Sequence, residues 1–179
     1  MTIRDEQKER RREEILRAGL ELFVRRGYTA TKIKDIADAV GMSVGLLFHY
    51  FSSKEQLYCT LVGYGVSTPM SAVAPAGEEP LAFFSRAARE VLGYAKQDAF
   101  TAEMFVFMNQ ALLSEDVPQS AKKLLAGFDV YTPTAEIIRA GQENGTIRAG
   151  DPLALAEAFW CAISGIAQMI ACYPGLPLP

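Results

Sequence analysis

Along most of this chain apolar residues return at intervals of three and four, the spacing that lines one face of a helix. From about Gln7 to Arg26, Ile15, Leu16, Ala18, Leu20, Leu22 and Phe23 recur in this way among charged residues, and Gly27 follows as a stop signal. The next segment, TATKIKDIADAVGMS, sets Ile33, Ile36, Ala37 and Val40 on one side of a short helix, with Thr31 as its cap and Gly41 as its end. Ser43 caps a third helix expected over 44–51. Ser53 caps a fourth, which starts at Lys54 and carries Leu57, Leu61 and Val62. Two short helices joined by a glycine turn and propped by a longer one have the layout of a helix-turn-helix.

The pattern changes near Ser67. STPMSAVAPAGEEP is rich in small residues and proline and reads as a loop. Beyond it, LAFFSRAAREVLGYAKQ, AEMFVFMNQALL, SAKKLLAGFDVYTPTAEIIRAGQ and PLALAEAFWCAISGIAQMIACY all show helical spacing and little alternation of the strand type. Pro133 should kink the third of these or lie near an interruption of it, and Asp151 should cap the last, with Pro152 in its first turn. The chain is therefore expected to be all-α.

Composition narrows this further. At 179 residues, 50% hydrophobic and 22% charged, the chain can build a packed core without cross-links and is unlike a disordered protein. Its three cysteines, Cys59, Cys161 and Cys172, are unrelated in spacing and read as reduced thiols, so no metal site and no cofactor is expected. The opening MTIRDEQKERRREE is charged throughout, unlike a secretory signal, and no uninterrupted apolar run reaches the ~18 residues of a membrane span. A soluble cytoplasmic protein is expected. The net charge of −3 is unevenly spread: residues 1–60 hold 11 Lys and Arg against 9 Asp and Glu, the remainder 7 against 12.

The stretch Leu46-Leu47-Phe48-His49-Tyr50-Phe51 includes the chain's one histidine. At about 100° per residue, Leu47 and Phe51 face the preceding helix, while Val44, Gly45, Phe48 and His49 turn away from that seam. Exposed apolar residues call for a partner. DNA would supply one: thymine methyl groups suit Val44 and Phe48, and phosphate oxygens suit His49, Tyr50 and Lys54. Gly45 would let the backbone approach the duplex, and Lys32 and Lys34 lie on the helix that crosses the phosphates in such motifs. The competing reading is an ordinary buried helix with His49 as a core residue.

Residues Arg11 to Tyr58 resemble the DNA-binding domain of the TetR-like family of bacterial transcriptional regulators. The resemblance rests on Gly27-Tyr28, Ala30-Thr31, Asp35-Ile36-Ala37, Gly41-x-Ser43-x-Gly45, His49-Tyr50-Phe51 and Lys54-Glu55-x-Leu57 at fixed offsets. It implies that Thr31, Lys34, Ser43, Val44, Gly45, Phe48, His49, Tyr50 and Lys54 occupy DNA-contacting positions. Phe48 stands where the family often has tyrosine, and Val44 and Leu46 where lysine and threonine are frequent. Reading here should lean on apolar contact with a thymine-containing operator.

The resemblance further implies an N-terminal three-helix domain, residues 1–53, carrying the helix-turn-helix, and a C-terminal helical domain, residues 54–179, that binds an effector and dimerises. Candidate pocket residues are Phe84, Tyr94, Phe100, Met104, Phe107, Met108, Phe128, Tyr131 and Trp160, which would select a hydrophobic or aromatic small molecule. Ala154, Ala158, Ala162 and Gly165 would allow close helix approach, and the family usually continues beyond the proline-rich ACYPGLPLP into a further helix. The expected function is a ligand-responsive regulator, usually a repressor, binding a palindromic double-stranded DNA operator as a homodimer. Two other classes are weighed against it. An enzyme finds no phosphate loop, nucleophile motif or metal constellation in the sequence, and a helical adaptor would keep the fold but bind protein.

Overall fold

The computed structural model describes residues 2–67, 77–173, 175 and 177. The described residues form helices α1 (Ile3–Ala30), α2 (Ile33–Ala39), α3 (Val44–Phe48), α4 (Lys54–Ser67), α5 (Pro80–Gln97), α6 (Ala99–Leu113), α7 (Gln119–Leu125), α8 (Tyr131–Glu143) and α9 (Pro152–Cys172), with no strand among them. The protein is all-α. Most of the proline-rich loop expected after Ser67, and four residues of the last seven, lie outside the described residues.

Helix α1 starts earlier than its apolar pattern, because a polar cap starts it. The Thr2 hydroxyl accepts from the Asp5 N–H at 3.3 Å, and the Asp5 carboxylate accepts from the Thr2 N–H at 2.9 Å. Residues 2–11 are all exposed, and the first buried side chains are Ile15 and Leu16. Gly27 breaks the helix at φ +76°, a conformation only glycine adopts freely. One further turn follows it.

The chain divides into two compact units. The first comprises residues up to Ser67 together with 106–127, so it holds α1 to α4, the end of α6, and α7. Its core is built on Leu20, Phe23, Ile36, Leu47, Phe51, Leu57, Leu61 and Phe107, each at most 1% exposed. Phe23, Tyr28, Tyr58 and Phe107 form an aromatic cluster with ring centroids 4.9 to 6.4 Å apart. Burial pushes the Tyr58 phenol well above the ordinary tyrosine range, so the ring stays neutral. This packing does not divide at the functional boundary expected between residues 53 and 54: α4 and α7 pack in the same unit as the helix-turn-helix.

The second unit holds α5, the start of α6, α8 and α9. Val91, Leu92, Ala95, Ala102, Trp160, Ile163, Ala167 and Ile170 make its larger cluster, and Ala135, Ile138 and Ala156 a smaller one. The Trp160 indole N–H donates to the Thr134 hydroxyl at 2.8 Å, which in turn donates to the Val130 carbonyl at 2.7 Å. Both polar groups are thereby satisfied inside the core. Asp151 caps α9 as expected, accepting from the Leu153 and Ala154 N–H groups. The interruption expected near Pro133 lies just before it, between α7 and α8. Asp129 accepts from the Tyr131 and Thr132 N–H groups and starts α8 anew, and Pro133 falls in its first turn, where a missing N–H costs nothing.

Helix α9 is long and apolar enough, by length and composition, to cross a membrane. The sequence expectation counted only uninterrupted runs, and Glu157 and Gln168 interrupt this one. Five of its residues are packed in the core, as in a central helix of a globular unit.

Gly141 marks the tightest approach in the second unit. A Cβ there would lie 2.5 Å from Ile147 Cδ1 and 3.0 Å from Pro80 Cβ, and the proline ring cannot rotate away. Gly141→Ala is therefore expected to destabilise the protein by about 1–3 kcal/mol, the usual cost of overpacking. A lower urea midpoint with an unchanged slope would report it.

Candidate nucleic-acid interface

The geometry of the motif begins with the turn between α2 and α3. Gly41 has φ +63°, and the Met42 N–H reaches back to the Ala37 carbonyl at 3.0 Å, closing α2 with a left-handed cap. Ser43 then starts α3, its hydroxyl accepting from the Leu46 N–H at 3.2 Å. The helix is shorter than expected and ends at Phe48, but Leu47 and Phe51 are still buried, at 0% and 1% exposure. This fixes which way α3 faces. Leu46 is 46% exposed and Phe48 45%, with Gly45 and His49 exposed and Val44 and Tyr50 half-buried.

Lys32, Lys34 and Ser43 are also exposed. Two of the expected contact residues are placed otherwise. Thr31 is fully buried, its hydroxyl hydrogen directed to the Gly27 carbonyl at 2.7 Å and the Leu22 carbonyl at 3.2 Å. It closes the end of α1 rather than capping α2. The cap of α2 is Lys32, whose N–H donates to the Asp35 carboxylate at 3.2 Å, and Arg26 pairs with that carboxylate at 3.3 Å. The Lys54 ammonium also points inward, donating to the Tyr28 and Thr31 carbonyls at 2.8 Å each and lying 4.2 Å from the Tyr28 ring centroid. Burial lowers its pKa from the ordinary lysine value.

Leu46, to which the sequence reading assigned no contact, is among the most exposed apolar groups of the motif. Arg12 was not singled out either; it lies 5.1 Å from the Phe51 ring and donates to the Tyr64 hydroxyl at 3.0 Å, pinning α1 to the end of the motif and to α4. Its i,i+3 spacing to Glu9 marks it only as a surface ion pair, so the sequence held no signal for this role.

The nine candidate effector residues are divided between the two units. Phe107 and Met108 belong to the core of the first unit, Phe107 against Tyr58 and Met108 over Gly65. Phe84 and Trp160 pack edge-to-face on opposite sides of Phe159 in the second unit, and Tyr131 lies against the larger cluster there. Phe100, Met104 and Phe128 are half-buried, and Tyr94 is 60% exposed. An open depression lined by residues including Leu112, Leu113, Lys122 and Leu125 contains none of them. Among the described residues no group of three or more His, Cys, Asp or Glu side chains could hold a metal ion.

Residues 15–59 match the model of the bacterial regulatory proteins of the tetR family. This stretch of the chain resembles that family. It is 38% identical over 93 residues to the HTH-type transcriptional regulator TcmR of Streptomyces glaucescens, a match covering 51% of this chain and 41% of that protein. The chain thus spans less than half the length of TcmR. Over 92% of its length it is similar to the crystal structure of the TetR-family regulator PfmR from Thermus thermophilus, covering 88% of that chain at 25% identity and a TM-score of 0.68. AibR, crystallised with isovaleryl coenzyme A and operator DNA, shares the fold at 22% identity and a TM-score of 0.72, with 94% of this chain and 90% of that one covered. These relatives are named as transcriptional regulators.

Since Thr31 and Lys54 make buried or half-buried bonds within the protein, their loss should register first in stability. Thr31→Val and Lys54→Met are each expected to destabilise the fold by about 1–3 kcal/mol, the range for a broken buried or charge-assisted hydrogen bond. Chemical denaturation measures this, and an unchanged midpoint would return both side chains to the outer face.

Proposed function

We propose that this chain is a DNA-binding transcriptional regulator of the tetR kind, a repressor that binds a palindromic operator as a homodimer and is released by a small apolar or aromatic effector in the cytoplasm. The observation that carries the reading is the outward face of α3. Leu46 and Phe48 stand in solvent there, and His49, Lys32 and Lys34 are exposed around them. A short helix backed by a rigid seam, with cations nearby, suits the major groove between two phosphate backbones. A helical adaptor remains the alternative, but the exposed lysines and the family match favour DNA.

Homodimerisation is supported by α9. Ala154, Ala158, Cys161, Ala162, Gly165 and Met169 are exposed on the side away from its core residues, a stripe of mostly small side chains with the exposed Glu157 at its edge. The same stripe on a second copy would match it under a two-fold axis, and two motifs are needed to span a palindrome. Effector release needs a coupling free energy of about 1–3 kcal/mol, roughly 5- to 150-fold in affinity. The apolar and aromatic side chains of the second unit favour an effector of that character over a phosphorylated one.

Selection of bound sequences from random duplex DNA at low salt tests this reading, with a palindromic consensus expected. Lys32→Ala and Lys34→Ala should each weaken binding to all duplexes alike and reduce the slope of log affinity against log salt by about 1 for each phosphate contact removed. Unchanged slopes in both variants would mean that α2 does not lie against the backbone.

A further inference from the structure

From Ala39 to Phe48 the chain carries no ionisable side chain. The one hydrogen-bonding side chain in that stretch is Ser43, already tied to the Leu46 N–H as the helix cap. Hydrogen-bonded reading of base edges by α3 is therefore confined to its ends, to Ser43 and His49. What the helix exposes along its length is hydrocarbon.

Leu46 and Phe48 are two residues apart, so they project about 160° from each other around the axis and about 3 Å apart along it. They do not form one patch. They flank the outward direction set by the buried Leu47 and Phe51, with Gly45 and His49 between them. A Cβ on Gly45 would meet only the Ser43 hydroxyl, at 4.0 Å, so the middle of this face is open to a close approach. Two apolar side chains on opposite flanks of one helix can each meet a different base step. In the major groove the one apolar group that ordinary base pairs present is the thymine 5-methyl. Against any other base edge, each side chain would strip water from polar atoms and return no hydrogen bond.

Resting on the DNA-binding reading above, we propose that Leu46 and Phe48 are specificity-determining residues that read two thymine 5-methyl groups, one on each flank of α3, in every half-site. The sequence preference of α3 is then set by methyl groups rather than by hydrogen bonds. It persists when salt screens the lysine contacts, because burial of hydrocarbon has no counterion term.

The test uses the duplex recovered by selection, with uracil replacing thymine at each protected position in turn. This substitution keeps every hydrogen bond of the base pair and removes the methyl alone. At two positions per half-site the affinity should fall about fourfold, equivalent to the ~0.8 kcal/mol of one buried methyl at 1.4 kcal/mol per tenfold, and about fifteenfold for both. Substitution by 5-bromouracil, which refills the volume, should restore binding. In Leu46→Ala one of the two uracil effects should vanish, and in Phe48→Ala the other, with helicity retained because nearly half of each side chain is exposed. Uracil tolerated at every protected position, or both uracil effects persisting undiminished in both folded variants, would overturn the inference while leaving the regulator reading intact. Absence of any selected sequence would remove both.

Discussion

The Lys54 ammonium, bound by the Tyr28 and Thr31 carbonyls and lying against the Tyr28 ring, is the constraint that holds the motif in shape. These contacts join the start of α4 to the corner where α1 ends and α2 begins. The same corner is closed from inside by the Thr31 hydroxyl on Gly27 and from outside by Arg26 on Asp35. Carbonyls at the end of a helix lack intrahelical partners, so a lysine and a threonine that reach them satisfy groups that would otherwise depend on water. A five-residue helix such as α3 has almost no stability of its own. Its direction is inherited from this frame through Leu47 and Phe51.

That frame decides how charge is distributed over the proposed interface. A lysine at the start of α4 reads from sequence as a phosphate contact, yet here its ammonium is bound to two backbone carbonyls and its charge is partly desolvated. The cations at the outer face are then those of α2, Lys32 and Lys34, on one side of the reading helix. An interface with few phosphate contacts draws less of its affinity from counterion release and more from what its helix touches in the groove. The absence of charge between Ala39 and Phe48 and the inward turn of Lys54 thus act in the same direction.

Much of this architecture was legible in the sequence. Period and caps located α2, α3, α4 and α9 because Gly41, Ser43, Ser53 and Asp151 each meet a local backbone need that no distant residue can change. Leu47 and Phe51 were readable as the inner face for the same reason. What escaped turned on which partner each side chain takes. Thr31 has the right chemistry for a cap, but its hydroxyl donates back to the Gly27 and Leu22 carbonyls instead. Lys54 meets carbonyls more than twenty residues away. An interruption near Pro133 was readable, but its start signal, Asp129, was concealed by helical spacing on either side. The candidate effector residues show the same limit: spacing identified Phe107 and Trp160 as buried aromatics but not that they belong to different units.

Helix α9 shows where period alone ends. A helix apolar on one stripe is finished once that stripe is packed, whereas α9 is apolar nearly all round and packs one side. Its outer side is not simply leftover hydrocarbon. Ala154, Ala158, Ala162 and Gly165 recur at intervals of four, four and three, with Cys161 among them and the exposed Glu157 at their edge. Small side chains expose little apolar area each, so the stripe is tolerable in water, yet they let a second backbone come close enough for continuous van der Waals contact. Such a surface carries little penalty when uncovered and gains when matched by its own copy. In the proposed homodimer, the same small residues would set the closeness of the two α9 helices.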